Sequence, residues 1–528
     1  MNDKNELYFI NEGESVSKIH KYLENMKNHL YEVQYYSLRF YSSSLWIEMF
    51  YKFIELFQLL AFCFSESFIK IQTPNSLFYL ISPFFNYFLI TEFLRGNTKM
   101  YFLIQYTFIL LSLILLFLKI YLMFNLQQIN SLTKTMINIY SFIMYTFNKI
   151  LLIPIINLYL SIFSCTDKIH DYANFKCWDS RHYAHIIINM ISLCDYLLDG
   201  YFNVNTFFDI TYNTNNIICK RTTLCDRVLF STKVFLTIFF YLFNNSNDWF
   251  LIGVLIVFSS YNYIIYFQLQ PNYNLVMKKL NVFTNLIFFW ASVVLLISNI
   301  CRNIFNYDSP IITFLLGTPF IIIFVLIYKE VGFGNHTVHP SKIVTSKEFF
   351  DRIIKLCSVV SNWDKRESQI FIRGYIIKIE ENCISKDCPL NKAIQNINNK
   401  DLAILYIYQH CDTLFNQAFS KDSNNMMLRI LHLFFYLCLF KNKKKAKNEI
   451  NIIEKIPNKS IEEEFLIYKC KKQFDLNGDF KFEEDIDDDF GSNILFINNF
   501  TKFKSLITKI SLSFGLILCN FLYKSFIS

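Results

Sequence analysis

The sequence predicts an all-α protein: a polytopic bundle of transmembrane helices followed by a soluble domain of α-hairpins. Three observations predict it. Long apolar runs crowd residues 45–328. From residue 329 onward the texture is mixed, and this stretch holds 29 of the 51 basic and 24 of the 43 acidic residues. Within it, apolar residues recur at helical spacing between short polar turns. The hydrophobic content of the whole chain, 53%, is close to the roughly 45–50% of ordinary soluble domains. The signal therefore lies in the distribution. The net charge of +8 is spread along the chain, which argues against nucleic acid as a partner.

Residues 1–44 carry Lys4, Lys18, Lys21, Lys27 and Arg39 without an early apolar core. A cleaved signal peptide needs such a core, so this segment is expected in the cytosol. A spanning helix needs about 20 mainly apolar residues. The candidates are 46–64, 101–124, 136–163, 183–199, 228–243, 249–267, 281–299 and 310–328. A ninth stretch, 77–91, is short and holds Pro83 and Asn86, which suits an interfacial or re-entrant position. Eight spans put both termini on one side of the bilayer, and nine would separate them; eight is the expectation.

Loop charges fit a cytosolic tail under the positive-inside rule. The inner loops hold Lys134, then Lys220, Arg221 and Arg227, then Lys278 and Lys279. The outer loop 244–248 has no basic residue and the next outer loop has only Arg302. The outer loop 164–182 dissents, with Lys168, Lys176 and Arg181. It also holds Cys165 and Cys177, spaced comfortably for a disulfide in an oxidising compartment.

After a linker over 329–345, residues 346–474 read as amphipathic helices. A capping box at Thr345 and Glu348 opens the first, and Phe349, Ile353, Leu356 and Val360 follow at helical spacing. The run 427–440 is too short to span and is interrupted by Arg429 and His432, so it reads as a helix buried among helices. Pro457 precedes a second capping box, Ser460 and Glu463. Helix, short turn, helix is the pattern of an α-hairpin stack. Residues 475–492 form an acidic loop, and 493–528 a last helix that either packs or enters the membrane.

Several groups invite chemistry. Cys383 and Cys388 form a C-x4-C pair. Zinc would need four ligands, which His410 and Cys411 could complete. Reduced thiols filling helix contacts are the favoured reading in the cytosol, where stable disulfides are rare, and a redox pair is the third. Asp475, Asn477 and Asp479 imitate the start of a calcium loop. Phe480 stands at the glycine position and Ile486 at that of the bidentate Glu, so a solvated acidic loop is expected. His170, His182 and His185 border the outer end of the span 183–199 and read as interfacial packing before a metal cluster.

Inside the spans, Glu48, Lys52 and Glu55 share one face of the first, where Glu48 and Lys52 can pair at i, i+4. Lys149, Pro154 and Asn157 lie in the third span, which can bend at the proline, and Asp195 and Asp199 end the fourth. A charge at mid-bilayer costs roughly 2.5–3.5 kcal/mol on insertion scales, so these residues are expected to face the bundle. They either staple helices together or line an ion path. No phosphate-binding loop, nucleophile elbow, HExxH or kinase signature is present, and no enzymatic activity or cofactor is expected.

The tail also carries a resemblance. GNHTVHPSK, SKEFFDRIIKLCS, WDKRESQIFIRGYI, ENCISKDCPL, LRILHLFFYLCLFKNKKKAKNEI and FLIYKCKKQF follow in order over about residues 334–475. Together they resemble the cytosolic region of large polytopic protist proteins related to the tiny macrocysts proteins B and C. The resemblance implies a tetratricopeptide-like helical region behind the spans and a signalling context. Longer members often continue into PAS sensor domains. Relatives tend to place a His shortly before the first Cys of the CPL motif; Glu380 and Glu381 stand there in this chain, which weakens any shared metal site. The expected partners are the lipid bilayer and a cytosolic protein or peptide, with an ion channel or transporter as the alternative function.

Overall fold

In the computed structural model, the described residues are 3–41, 44–64, 68, 85, 98–126, 130–163, 178–210, 217–243, 248–269, 271–305, 310–327, 353, 392, 400–421, 425–439, 442–457 and 459–479. They are helical, with no named strand. In order they form α1 (Asp3–Phe40), α2 (Leu45–Cys63), α3 (Thr98–Asn125) and α4 (Ser131–Thr146). A π turn (Phe147–Leu151) leads into α5 (Leu152–Ser161), followed by α6 (Ser180–Thr206), α7 (Leu224–Leu242), α8 (Asp248–Leu269), α9 (Leu275–Phe305) and α10 (Pro310–Ile327). The remainder are α11 (Lys400–Lys421), α12 (Met426–Phe434) with a second π turn (Phe435–Leu439), α13 (Lys443–Glu454) and α14 (Ile461–Asp479). The chain divides into two compact units, residues 1–468 and 469–528. The second is described only over the end of α14.

Polar side chains start these helices where free backbone amides need acceptors. Ser44 caps α2, Asp179 caps α6, Asn425 caps α12 and Asn442 caps α13. At α14 the capping box forms as its sequence implies: the Ser460 N–H donates to Glu463 at 2.8 Å and the Glu463 N–H donates to Ser460 Oγ at 3.3 Å.

Each of the eight expected spans falls on a helix, α4, the π turn and α5 acting as one. Four are long and apolar enough to cross a bilayer: residues 101–125, 131–161, 248–269 and 275–301. The other four fall short for identifiable reasons. α2 holds Glu48, Lys52 and Glu55; α7 holds Asp226, Arg227 and Lys233; α6 is rich in polar residues; and the apolar stretch of α10, Ile312–Val325, is short. On α3, Leu103, Leu110, Phe117 and Phe124 repeat every seven residues and all face outward. On α10, Leu316, Phe320 and Ile323 do the same. The region 77–91 apart from Phe85, the loop 164–177, the linker, nearly all of 346–399 and residues 480–528 lie outside the described residues.

Two apolar clusters make up the interior of the bundle. One joins α2, α7, α8 and α9 through Leu59, Phe62, Leu236, Leu255, Phe288 and Ala291. The other joins α1, α3, α4, α5 and α6 through Tyr36, Leu122, Ile137, Met144, Ile156 and Tyr196. The amino-terminal segment, expected to lie apart from the spans, contributes to the second: Tyr31 and residues 33–37 of α1 are buried, and α1 packs on α3, α4 and α6. Between α9 and α10 the approach is close enough that a Cβ on Gly317 would stand 2.2 Å from the Trp290 ring. Only glycine fits there.

In the third expected span, a side chain takes the place of the backbone hydrogen bond that the proline cannot make. Pro154 has no N–H to give the carbonyl four residues back, that of Ile150. Gln58 of α2 donates to this oxygen instead. The Phe147 carbonyl, at the start of the π turn, accepts from the Tyr196 hydroxyl of α6 at 3.0 Å. The irregularity thus cross-links three helices. Gln58→Leu leaves the half-buried Ile150 carbonyl without this donor, and a loss of about 1 kcal/mol is expected. The thermal unfolding midpoint of the full chain in detergent should fall, with Gln58→Glu at low pH partly restoring it.

Candidate functional site

The residues that place charge inside the bundle gather on α2, the π turn and α7, along the seam between the two apolar clusters. Glu55 lies between two lysines, Lys52 on its own helix and Lys233 on α7, each with its ammonium 2.5 Å from a different carboxylate oxygen. All three are at most 5% exposed. Two turns nearer the start of α7, Asp226 repeats the arrangement. Lys220 sits 2.6 Å from one of its oxygens and Lys149 3.8 Å from the other. Tyr266 of α8 also donates to Asp226 at 3.3 Å.

Backbone geometry positions these groups. Asp226 and Lys233 are seven residues apart and so share a face of α7. Lys220 precedes α7 in a segment pinned by its own N–H donating to Asp209 O at 2.8 Å and by Arg221 N–H donating to Pro271 O at 2.9 Å. Lys149 comes inward on the π turn, its ammonium 5.6 Å from the centre of the Tyr145 ring. Glu48 accepts from the Tyr145 hydroxyl at 2.8 Å. The pairing expected from spacing, Glu48 with Lys52, is replaced by Lys52 with Glu55. The i, i+3 carboxylate wins because Lys233 approaches it from α7 while Tyr145 occupies Glu48.

Seven charges therefore meet, the lysines 52, 149, 220 and 233 with the carboxylates 48, 55 and 226. Sequence reasoning found four of them and missed the pairing role of Lys220, Asp226 and Lys233. The available signal was the matching i, i+7 spacing of Asp226 and Lys233 on α7 and of Glu48 and Glu55 on α2. Asn157 is half-buried on α5. Asp195 belongs to a separate contact between α6 and α3, where it accepts from Ser112 at 3.3 Å while Lys119 pairs with Asp199.

A cavity of about 40 Å³ opens beside this cluster. Gln34 and Ser37 of α1, Tyr145, Asn148 and Lys149 of the α4–π segment, and Asp226 stand among its walls.

A second polar centre forms in the helices that follow the spans. His432 of α12 stacks on Phe415 at 4.4 Å and meets Glu449 of α13 at 3.1 Å and Asp412 of α11 at 3.7 Å. Arg429 pairs with Glu449 at 2.9 Å and lies over Phe419, while Lys445 and the Tyr436 hydroxyl hold Asp412. Burial works against charge on both carboxylates. Hydrogen bonds from His432 and Arg429 to Glu449, and from Tyr436 and Lys445 to Asp412, outweigh it and hold both below the usual carboxylate range. Residues 429 and 432 were legible only as interruptions of an apolar run.

A third contact ties α14 to the bundle. Glu462 accepts from the Thr223 N–H at 3.1 Å, the Thr223 hydroxyl at 2.8 Å and Arg227 at 3.1 Å. A carboxylate at the amino end of α7 is well placed for the helix dipole. Glu464 takes Tyr31 at 2.9 Å and Lys27 at 3.3 Å, both on α1.

Of the other candidates, Cys383, Cys388, Cys165, Cys177 and His170 lie outside the described residues. His410 and Cys411 are adjacent and buried on α11. Among the described residues no three His, Cys, Asp or Glu side chains converge as a metal site would require. His182 is used structurally: its Nδ1 accepts from the Trp178 N–H at 3.1 Å, so Nε2 carries the proton and donates to Ile162 O at 2.8 Å. His185 bonds to the Tyr106 hydroxyl. The first five positions of the calcium-like loop, through Asp479, lie within α14.

No family model, curated protein or solved structure matches the chain.

Two expectations follow. Glu55→Gln leaves two buried lysines facing a neutral side chain and should destabilise the full chain by about 3–5 kcal/mol. The triple change Glu55→Leu, Lys52→Met, Lys233→Met should recover most of the loss in detergent unfolding assays. For Glu449 and Asp412, whose folded values lie below the ordinary 4.5 and 3.8, the stabilisation is complete above about pH 4.5 and lost as pH falls through the folded values. Amide protection in α12 and α13, corrected for intrinsic exchange, should drop in that acid range and should do so less in Glu449→Gln.

Proposed function

We propose that this chain is a multi-pass integral membrane protein of eight spans, α2 to α10, with both termini in the cytosol. Its helices after the spans act as a hairpin domain that binds a protein or peptide and carries a signal. Outward-facing Leu, Ile and Phe on α3 and α10 support the membrane assignment, because soluble monomers rarely expose such continuous apolar surface. The resemblance of residues 334–475 to polytopic signalling proteins supports the tetratricopeptide-like reading.

The contact made by Glu462 and Glu464 is the observation that carries the proposal. It joins three segments that the sequence reading puts on one side of the membrane: the amino-terminal helix, the loop before α7 and the tail. A helix so fastened to the bundle transmits a change in the spans to the domain behind them. An ion channel or transporter is the second reading, favoured by the buried charge cluster and its cavity.

Two measurements separate these readings. Impermeant maleimide should label Leu132→Cys and Lys445→Cys from the same side and Trp249→Cys from the other; labelling all three from one side removes the eight-span topology. In proteoliposomes of the full chain, ion flux should equal that of empty vesicles. Glu462→Gln should raise hydrogen exchange over residues 461–468 and 223–227. Flux that disappears in Lys149→Leu would decide for the channel or transporter.

A further inference from the structure

The cavity at the start of α7 has walls of unequal charge. Lys149 and Lys220 face it with a single carboxylate, Asp226, among its lining residues. Asp226 is already engaged by Lys220 at 2.6 Å, and Lys149 stands off at 3.8 Å, beyond hydrogen-bond reach. Deeper in the bundle Glu55 is likewise shared by two lysines, so four lysines answer to three carboxylates. A surplus buried cation is costly unless something neutralises it.

Three buried polar atoms on the same walls have no hydrogen-bond partner: Gln34 Nε2, Ser37 Oγ and Asn148 Oδ1. Gln34 and Ser37 are 2% and 1% exposed and Asn148 9%. Buried polar groups are almost always satisfied, by protein or by an occupant. Gln34 and Ser37 stand at i, i+3 on one face of α1 and both bring a donor to the wall of the cavity that the lysines also line. Half a turn of the Asn148 amide presents its NH2 group to the same space.

We propose that this cavity binds a small monovalent anion of chloride size. The ion sits against Lys149 and Lys220 and accepts hydrogen bonds from the Gln34 amide and the Ser37 hydroxyl. Two ammonium groups against one carboxylate exclude cations. A space of about 40 Å³ has room for about three water-sized occupants, which admits a hydrated halide and rejects a bulky organic acid or a lipid phosphate with its ester groups. The site goes beyond either functional reading, since a sensor and a transporter would each hold the ion in the same place.

The test uses the full chain in nanodiscs at constant ionic strength, with chloride replacing gluconate. Ligand that binds only the folded state raises the unfolding midpoint in a saturable way. A saturable rise with chloride, reproduced by bromide, is expected. Lys149→Met should abolish it, and the double variant Gln34→Leu, Ser37→Ala, which leaves every charge in place, should weaken the halide midpoint concentration at least tenfold. Equal stability in chloride and gluconate would overturn the proposal, as would a saturable chloride effect that the double variant leaves unchanged. If Lys149→Met does not fold, the double variant still decides.

Discussion

The bundle is organised around one carboxylate. Glu55, with Lys52 on one oxygen and Lys233 on the other, turns three groups that individually oppose burial into a unit that can be buried. A lone lysine or glutamate at that depth would cost several kcal/mol. Shared, the charges compensate and in doing so set which face of α2 meets which face of α7. Buried ion pairs contribute less to net stability than an apolar core of equal volume, and their value lies more in specifying one arrangement over others. Leu59 and Leu236 lie in the same cluster of α2 and α7; an apolar seam alone would tolerate rotation of either helix, whereas a bridge with two lysines on two oxygens does not.

Asp226 repeats the motif at the start of α7, and Lys149 comes to it from the π turn. Two carbonyls of this segment, Ile150 and Phe147, take side-chain donors, Gln58 and Tyr196, from α2 and α6. Helical irregularities of this kind often mark functional positions. Here Asn148 and Lys149 lie on the π turn itself and line the cavity, so the irregularity and the site share the same residues. Gly200 of α6 permits it: a Cβ there would stand 2.9 Å from both Asn148 Oδ1 and the Phe230 ring.

Helices were legible wherever apolar residues ran long or were bounded by caps, as with Ser460 and Glu463. Their partners were not. Spacing along α2 allows Lys52 either carboxylate, and the choice was made by Lys233 and Tyr145, residues distant in the chain. Lys233 itself sits in an apolar run, where a single lysine reads as one that reaches out to the interface; only the opposing Glu55 reveals that it points inward. The burial of α1 was hidden for a different reason. Its residues 33–37, VQYYS, are buried in succession, so no face of the helix stands out as apolar, and Gln34 and Ser37 look like solvent-facing positions. Polar residues that line a cavity follow no hydrophobic period, because their surroundings are polar on the inside.

Arg227 follows Asp226 in the chain. The first turn of α7 thus carries both the carboxylate that anchors two buried lysines and the guanidinium that pairs with Glu462 of α14. Consecutive residues on a helix point about 100° apart, so these two contacts lie on different sides of the same turn. Rotation of that turn toward one partner draws it from the other. Thr223, which gives Glu462 both its N–H and its hydroxyl, holds the turn at its start, and Tyr266 holds it from α8. Coupling between the cavity and the helix behind the spans therefore needs no long relay of intermediate residues. It is contained in five consecutive positions, residues 223–227, whose backbone cannot satisfy the interior and the tail independently.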